Sequence, residues 1–224
     1  MTETELPNIA VVFDSLLRAH GPQQWWPADD SFEVVVGAIL VQRTTWTNAA
    51  RAISNLKRAQ LLNPSELARA ASDKLEPHVR PAGFFRVKAA RLQVVAGKIL
   101  SLGGMDRLSQ RDTGGLRREL LSFPGIGEET ADAILLYAFN RPVVVIDAYL
   151  RRLMSRLLGT GEGKSVPDDR NIRALVASTI PRVRDLSEFH ALIVAHGKQT
   201  CRPRPHCASC CLLRVCPGSA AGGS

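Results

Sequence analysis

Residues 120–152 read L-L-S-F-P-G-I-G-E-E-T-A-D-A-I-L-L-Y-A-F-N-R-P-V-V-V-I-D-A-Y-L-R-R, and the remainder of the chain is legible outward from them. The stretch begins as the end of one helix, turns through Pro124-Gly125-Ile126-Gly127 and restarts as a second helix over 128–139. Two glycines one residue apart are expected to let the turn take positive φ and to bring bare backbone N–H groups to the surface. Those groups lie at a helix N-terminus, where unpaired donors and the dipole favour an anion. Helix, P-G-x-G turn and second helix make a helix-hairpin-helix, which suits a nucleic-acid phosphate gripped without reading sequence. An ordinary glycine-capped helix connection is the plainer alternative.

Next comes the apolar run Val143-Val144-Val145-Ile146, and Asp147 ends it where a helix over 148–158 is expected to begin. Asp is a good N-cap there, worth about 1 kcal/mol. Hairpin and V-I-D together resemble the helix-hairpin-helix glycosylases of the endonuclease III superfamily. The resemblance implies that Asp147 is the catalytic carboxylate and that Pro124, Gly125, Ile126, Gly127 and Thr130 hold DNA. Capping and catalysis are compatible, because a capping carboxylate is also a fixed and oriented one.

The chain has 224 residues, with 29 Lys plus Arg against 21 Asp plus Glu, a net charge of +8. That balance suits a polyanion partner. Apolar residues at 45% argue for a real core and against disorder. The longest apolar runs, such as residues 34–41, are too short to cross a bilayer. Residues 1–10 carry acids and no basic segment of the secretory kind, so a cytoplasmic protein, associated with the nucleoid through DNA, is expected.

All five cysteines lie between Cys201 and Cys216. Clustered thiols in a reducing compartment are metal ligands more often than disulfides. Cys201, Cys207, Cys210 and Cys216 follow a C-x5-C-x2-C-x5-C pattern, with Cys211 to spare. Spacing leaves zinc and a 4Fe–4S cluster both open. The resemblance implies a 4Fe–4S cluster, although the family has six residues in the first gap where this chain has five.

Helical periodicity predicts an amphipathic helix over 6–20 and, after Ser31 as N-cap, a helix to residue 41 that is apolar almost all round and therefore buried. Further helices are expected over 48–59, 65–71, 87–102, 172–180 and 187–196. Pro77 and Pro81 are expected to break the chain, as is the three-glycine loop over 159–164. A tail beginning at Gly218 is expected to be disordered. No strand signal of substance is present, so the fold class is all-α. The adjacent Trp25 and Trp26 could stack on bases, but packing against the core is their commoner fate.

The resemblance spans residues 31–216 and sharpens these expectations. It implies a helical barrel domain over 30–141 containing the hairpin motif at about 113–139. A second helical domain, residues 1–29 and 142–224, would carry Asp147 and the cluster loop 201–216, with the substrate cleft between the two. Gln42, in L-V-Q-R-T, would enter the duplex where the target base leaves, and Phe84, after Gly83, would wedge between bases. Family members that also cleave the backbone carry a Lys in the second hairpin helix, and Glu129 stands at that position. A carboxylate cannot form the Schiff base on which the lyase step depends. The implied protein is a monomeric DNA glycosylase of base excision repair acting on duplex DNA with a damaged base. It would be monofunctional and, since the hairpin looks closest to N-alkylpurine glycosylases, directed at alkylated purines, with Asp147 and Glu129 as the acidic pair. A bifunctional glycosylase and lyase acting on oxidised pyrimidines, and a non-catalytic DNA-binding iron–sulfur protein, are the alternatives.

Overall fold

The computed structural model describes residues 7–158 and 168–218, and every regular element among them is helical. In chain order these are α1 (Ile9–His20), α2 (Ser31–Leu40), α3 (Trp46–Arg58), α4 (Pro64–Arg69), α5 (Ser72–Val79), α6 (Phe85–Ser101), α7 (Gly104–Ser109), α8 (Thr113–Leu121), α9 (Glu128–Tyr137), α10 (Ala148–Leu157), α11 (Asp169–Thr179) and α12 (Val183–Gln199). None is long and apolar enough to cross a membrane. The chain divides into two compact units, one of Met1–Trp25 with Pro142–Ser224 and one of Trp26–Arg141.

The unit of residues 26–141 is built around α2. Its apolar sequence buries every residue from Phe32 to Leu40, against α3, α6 and α9. The one carboxylate in that helix, Glu33, is neutralised by Lys57 at 2.8 Å and accepts the Asp29 N–H. Helices α4 and α5 pack on α6, and α8 packs on α9. Arg117 of α8 donates to Asp132 of α9 at 2.7 and 3.4 Å, clamping the two hairpin helices through a buried carboxylate.

Several local expectations are corrected. Asp30, not Ser31, caps α2, because its carboxylate reaches the Glu33 N–H at 2.8 Å. Pro77 does not break the chain but sits inside α5. The helix ends two residues later, so only one i→i−4 bond is forfeited. Helix α7 was not foreseen, since its glycine-led start and six residues give too little periodicity to read. Helix α12 runs from Val183 to Gln199, well beyond the expected 187–196. Leu6, the loop over 159–164 and the tail beyond Gly218 lie outside the described residues.

In the other unit α1 packs on α11 and α12, and α10 packs on α12. Phe13 meets Phe189 edge-on at 5.8 Å. Arg151 of α10 pairs with Asp169 of α11 through two bonds of 2.9 and 2.6 Å. Arg173 of α11 donates to the Val144 carbonyl at 2.6 Å, fixing the extended run that leads into Asp147.

Candidate active site

The hairpin turn is glycine-dependent at one position and open at the other. Gly125 has φ +76°, and a β-carbon there would collide with the Arg91 side chain. Gly127 is extended, at φ −91° and ψ −177°, and serves as the N-cap of α9, so the turn takes its positive φ at Gly125. Its backbone is set by the need of the α9 cap for β-region geometry, which any residue adopts. A β-carbon at Gly127 would meet nothing within 4 Å. Pro124, Gly125 and Gly127 are exposed while Ile126 is buried and anchors the turn in the core. Glu129 is exposed in the first turn of α9.

Gln42 lies against this hairpin. Its Nε2 donates to the Gly125 carbonyl and to Thr130 Oγ1, each at 3.0 Å. Phe84 is 61% exposed and holds φ +46°, left-handed backbone that costs a non-glycine residue roughly 1 kcal/mol. Arg43, itself at φ +57°, places its guanidinium 5.3 Å from the Phe84 ring centre. The Phe84 ring is held out in solvent beside Arg43 and takes no part in the core.

Asp147 does cap α10, accepting the Leu150 N–H at 2.7 Å, and is 6% exposed. Its second oxygen faces His190 Nε2 at 3.7 Å. Burial pushes the carboxyl upward, but His190 and the N–H groups of Leu150 and Tyr149 outweigh it and hold the group below the usual carboxylate range. The outcome is a dry, oriented anion at the start of a helix.

Cys201, Cys207, Cys210 and Cys216 line a single cavity, with Leu153, Leu212 and His196 in its wall. Arg156 donates to Cys201 Sγ at 3.0 Å, and the Leu212 N–H points at Cys210 Sγ at 3.4 Å. Burial first, then the neighbouring Cys201 and Cys207, push the Cys210 thiol up. Cys211 is exposed, and its sulfur lies instead within 4.8 Å of ligating nitrogens of His20 and His196. Burial, helped by His20, lowers His196 to about 4, so its ring is neutral at physiological pH. Four thiols lining one cavity, two of them accepting N–H groups, are a donor set that fits a 4Fe–4S cluster.

A family model, HhH-GPD superfamily base excision DNA repair protein, matches residues 36–182. The chain is 42% identical over 220 residues to MJ1434 of Methanocaldococcus jannaschii, assigned as a DNA repair glycosylase, covering 96% of this chain and 99% of that one. The chain belongs to the HhH-GPD superfamily of base excision DNA repair proteins. Within the HhH-GPD superfamily it is a base-excision DNA glycosylase. The crystal structure of the 3-methyladenine DNA glycosylase of H. pylori bound to 1,N6-ethenoadenine is similar, with a TM-score of 0.71 and 30% identity over 85% of this chain and 95% of that one. A trapped endonuclease III–DNA covalent intermediate shares the fold, with a TM-score of 0.77 and 22% identity over 99% of both chains.

Three residues of this HhH-GPD chain carry the local geometry without a readable motif. His190 was visible only as one histidine of a helix, 43 positions from Asp147 in sequence. Arg91 and Lys88 were two more cations on a basic helix. Lys88 is 2% exposed and donates to the carbonyls of Leu40, Gln42 and Ala82, each at 2.8 Å. With every N–H committed to a carbonyl, Lys88 is a brace and not an amine that could attack a sugar. Trp26 packs edge-on to Trp46 at 5.2 Å and tilted on Tyr137 at 5.4 Å, the core fate expected of it.

The two glycines predict different behaviour. Gly127→Ala should change stability by less than about 1 kcal/mol, and, on the phosphate-holding role that the family resemblance implies for this turn, lower duplex affinity roughly tenfold regardless of sequence, since a methyl would fill the open space over the α-carbon. Gly125→Ala should lose about 1–2 kcal/mol of stability as well, from forced left-handed backbone and the collision with Arg91. Thermal melts and salt-titrated binding separate the two, and equal melting points would contradict the assignment.

Proposed function

We propose that this protein is a monofunctional DNA N-glycosylase that removes N-alkylated purines from duplex DNA. The observation that carries the reading is Asp147, buried, held by an α10 N–H and by His190, and kept ionised, in a chain of the HhH-GPD family. The target nucleotide leaves the helix stack, because no side chain reaches its sugar within a duplex. The hairpin N–H groups hold a phosphate, Phe84 opens the stack and Gln42 fills the place left by the base. As the N-glycosidic bond lengthens, the sugar gains oxocarbenium character, and the Asp147 carboxylate stabilises that cation. Water supplies hydroxide to C1′ and its proton passes to Asp147, while the bonding pair leaves with the purine. An alkylated purine is already cationic, so it departs as a neutral base and asks little of an acid catalyst.

Two supports bear on substrate and reaction type. The similar H. pylori protein is a 3-methyladenine glycosylase, which favours the alkylpurine class. Glu129, exposed where lyase-competent relatives carry Lys, offers no amine for an imine. Cys201, Cys207, Cys210 and Cys216 would hold a 4Fe–4S cluster, which when bound supplies a covalent staple for the segment that follows α12. Arg202, Arg204 and Arg214 are exposed around it and suit phosphate contacts.

The test is base release from duplexes carrying alkylated, oxidised, deaminated or mispaired bases, with borohydride added in a parallel arm. Alkylated purines should be released preferentially, with little covalent adduct trapped. Glu129→Lys should create trapping. Preferential release of oxidised pyrimidines with efficient trapping by the unaltered protein would establish the bifunctional alternative. Duplex binding without release of any base would place the substrate outside these four classes.

A further inference from the structure

Gln42 is gripped at both of its carbonyls by two cations one turn apart on α6. Lys88 Nζ donates to its main-chain oxygen at 2.8 Å, and Arg91 Nη1 donates to its side-chain Oε1 at 3.0 Å. With Oε1 taken by Arg91, the amide cannot flip, so its NH2 is the end that faces Gly125 O and Thr130 Oγ1. The Arg91 side chain is fixed in turn by its position over Gly125, where only the absence of a β-carbon leaves it room. Lys88 also holds the Ala82 carbonyl at 2.8 Å, tying the turn that precedes Phe84 to the turn that carries Gln42. These partners come from α6, the turn before it and the hairpin, and all lie in the unit of residues 26–141.

From this we infer that Arg91 is a positioning residue for base excision, presenting the Gln42 amide in one orientation and one place before DNA arrives. A glutamine that must fill a vacated base position loses rotamer freedom on entry, a cost that a long flexible side chain bears heavily. Arg91 removes that cost in advance. It acts only through Gln42, and Gly125 is its seat and not its target. Thr130 becomes a second support of the same amide, in addition to its place in the hairpin.

The inference rests on the reading of Gln42 as the group that enters the duplex, and a double-mutant cycle separates the two. Single-turnover excision and duplex affinity are measured for Gln42→Ala, Arg91→Met, Arg91→Lys and the Gln42→Ala/Arg91→Met pair, using a duplex with one alkylated purine. Arg91→Met should slow excision about tenfold, the size expected for one charge-assisted bond to an amide, with affinity changed less than threefold. Arg91→Lys, which keeps a donor, should recover part of the rate and serves as the cycle partner should the Met variant fail to fold. In the Gln42→Ala background Arg91→Met should have almost no further effect. Multiplicative losses would overturn the inference and make Arg91 an independent phosphate contact, an outcome also marked by a shallower salt dependence. Unchanged excision by Gln42→Ala would overturn the reading of Gln42 and the inference with it.

Discussion

Asp147→Asn is expected to lower base excision about 10³-fold while leaving duplex binding intact or tighter. Asn caps a helix as well as Asp does, so the substitution removes the charge without removing the bond to the Leu150 N–H. Melting temperature should therefore fall only by what the lost charge contributes beside His190, so a lost activity is not a lost fold. Asp147→Ala is the contrast, because it sacrifices the cap too and should cost about 1 kcal/mol of stability. The sign of the pH dependence follows from the depressed folded pKa. The carboxylate remains ionised through the weakly acidic range, so the acid limb of excision should lie below the ordinary Asp value of about 3.9. For the same reason its contribution to stability is present above the unfolded pKa and lost as pH falls through the folded one. His190→Leu removes the main group opposing burial, and the acid limb should then move up. Excision by Asp147→Asn at a rate near that of the unaltered protein would remove this residue from the chemistry.

Cys207→Ser is expected to abolish the cluster and with it the folding of the segment beyond α12. Protein isolated without oxygen should be yellow-brown, absorb broadly near ~400 nm and contain about four irons per chain. Cys207→Ser should be colourless, and limited proteolysis should cut within residues 200–218 while leaving the unit of residues 26–141 intact. The reason is that metal-binding free energy is folding free energy where few other contacts order the chain. In that segment only Cys201 and Leu212 are buried. Cys211→Ser should keep both colour and iron, since its sulfur lies near His20 and His196 and not among the residues lining the cavity of the other four. Colourless unaltered protein carrying one zinc per chain would replace the cluster with a tetrahedral zinc site.

The residues that were readable differ from those that were not in one physical respect. Asp147, the hairpin glycines and the cysteine spacing are local signals, each carried within a few consecutive residues by a cap, a turn or a ligand interval. A helix apolar on all sides could belong only at the centre of a domain, and α2 is buried from Phe32 to Leu40. Pro77 misled because proline forbids a helix interior yet costs little in a last turn. Gly127 needs no positive φ, and a β-carbon over it would meet nothing within 4 Å.

By itself the sequence determined an all-α chain, a hairpin with an exposed turn, a capped carboxylate and a four-thiol loop, because periodicity, capping and ligand spacing act over a few residues. What only the tertiary structure decided is what surrounds those groups. His190 reaches Asp147 from a different helix, and Arg91 and Lys88 grip Gln42 across 49 and 46 positions of sequence. Lys88 gives no sign in sequence that it is a buried brace with three carbonyls, since any lysine on a basic helix looks alike until the carbonyls it will meet are folded around it. Long-range partners of this kind depend on which helix faces come together, and that is fixed by packing over the whole unit and by no local pattern.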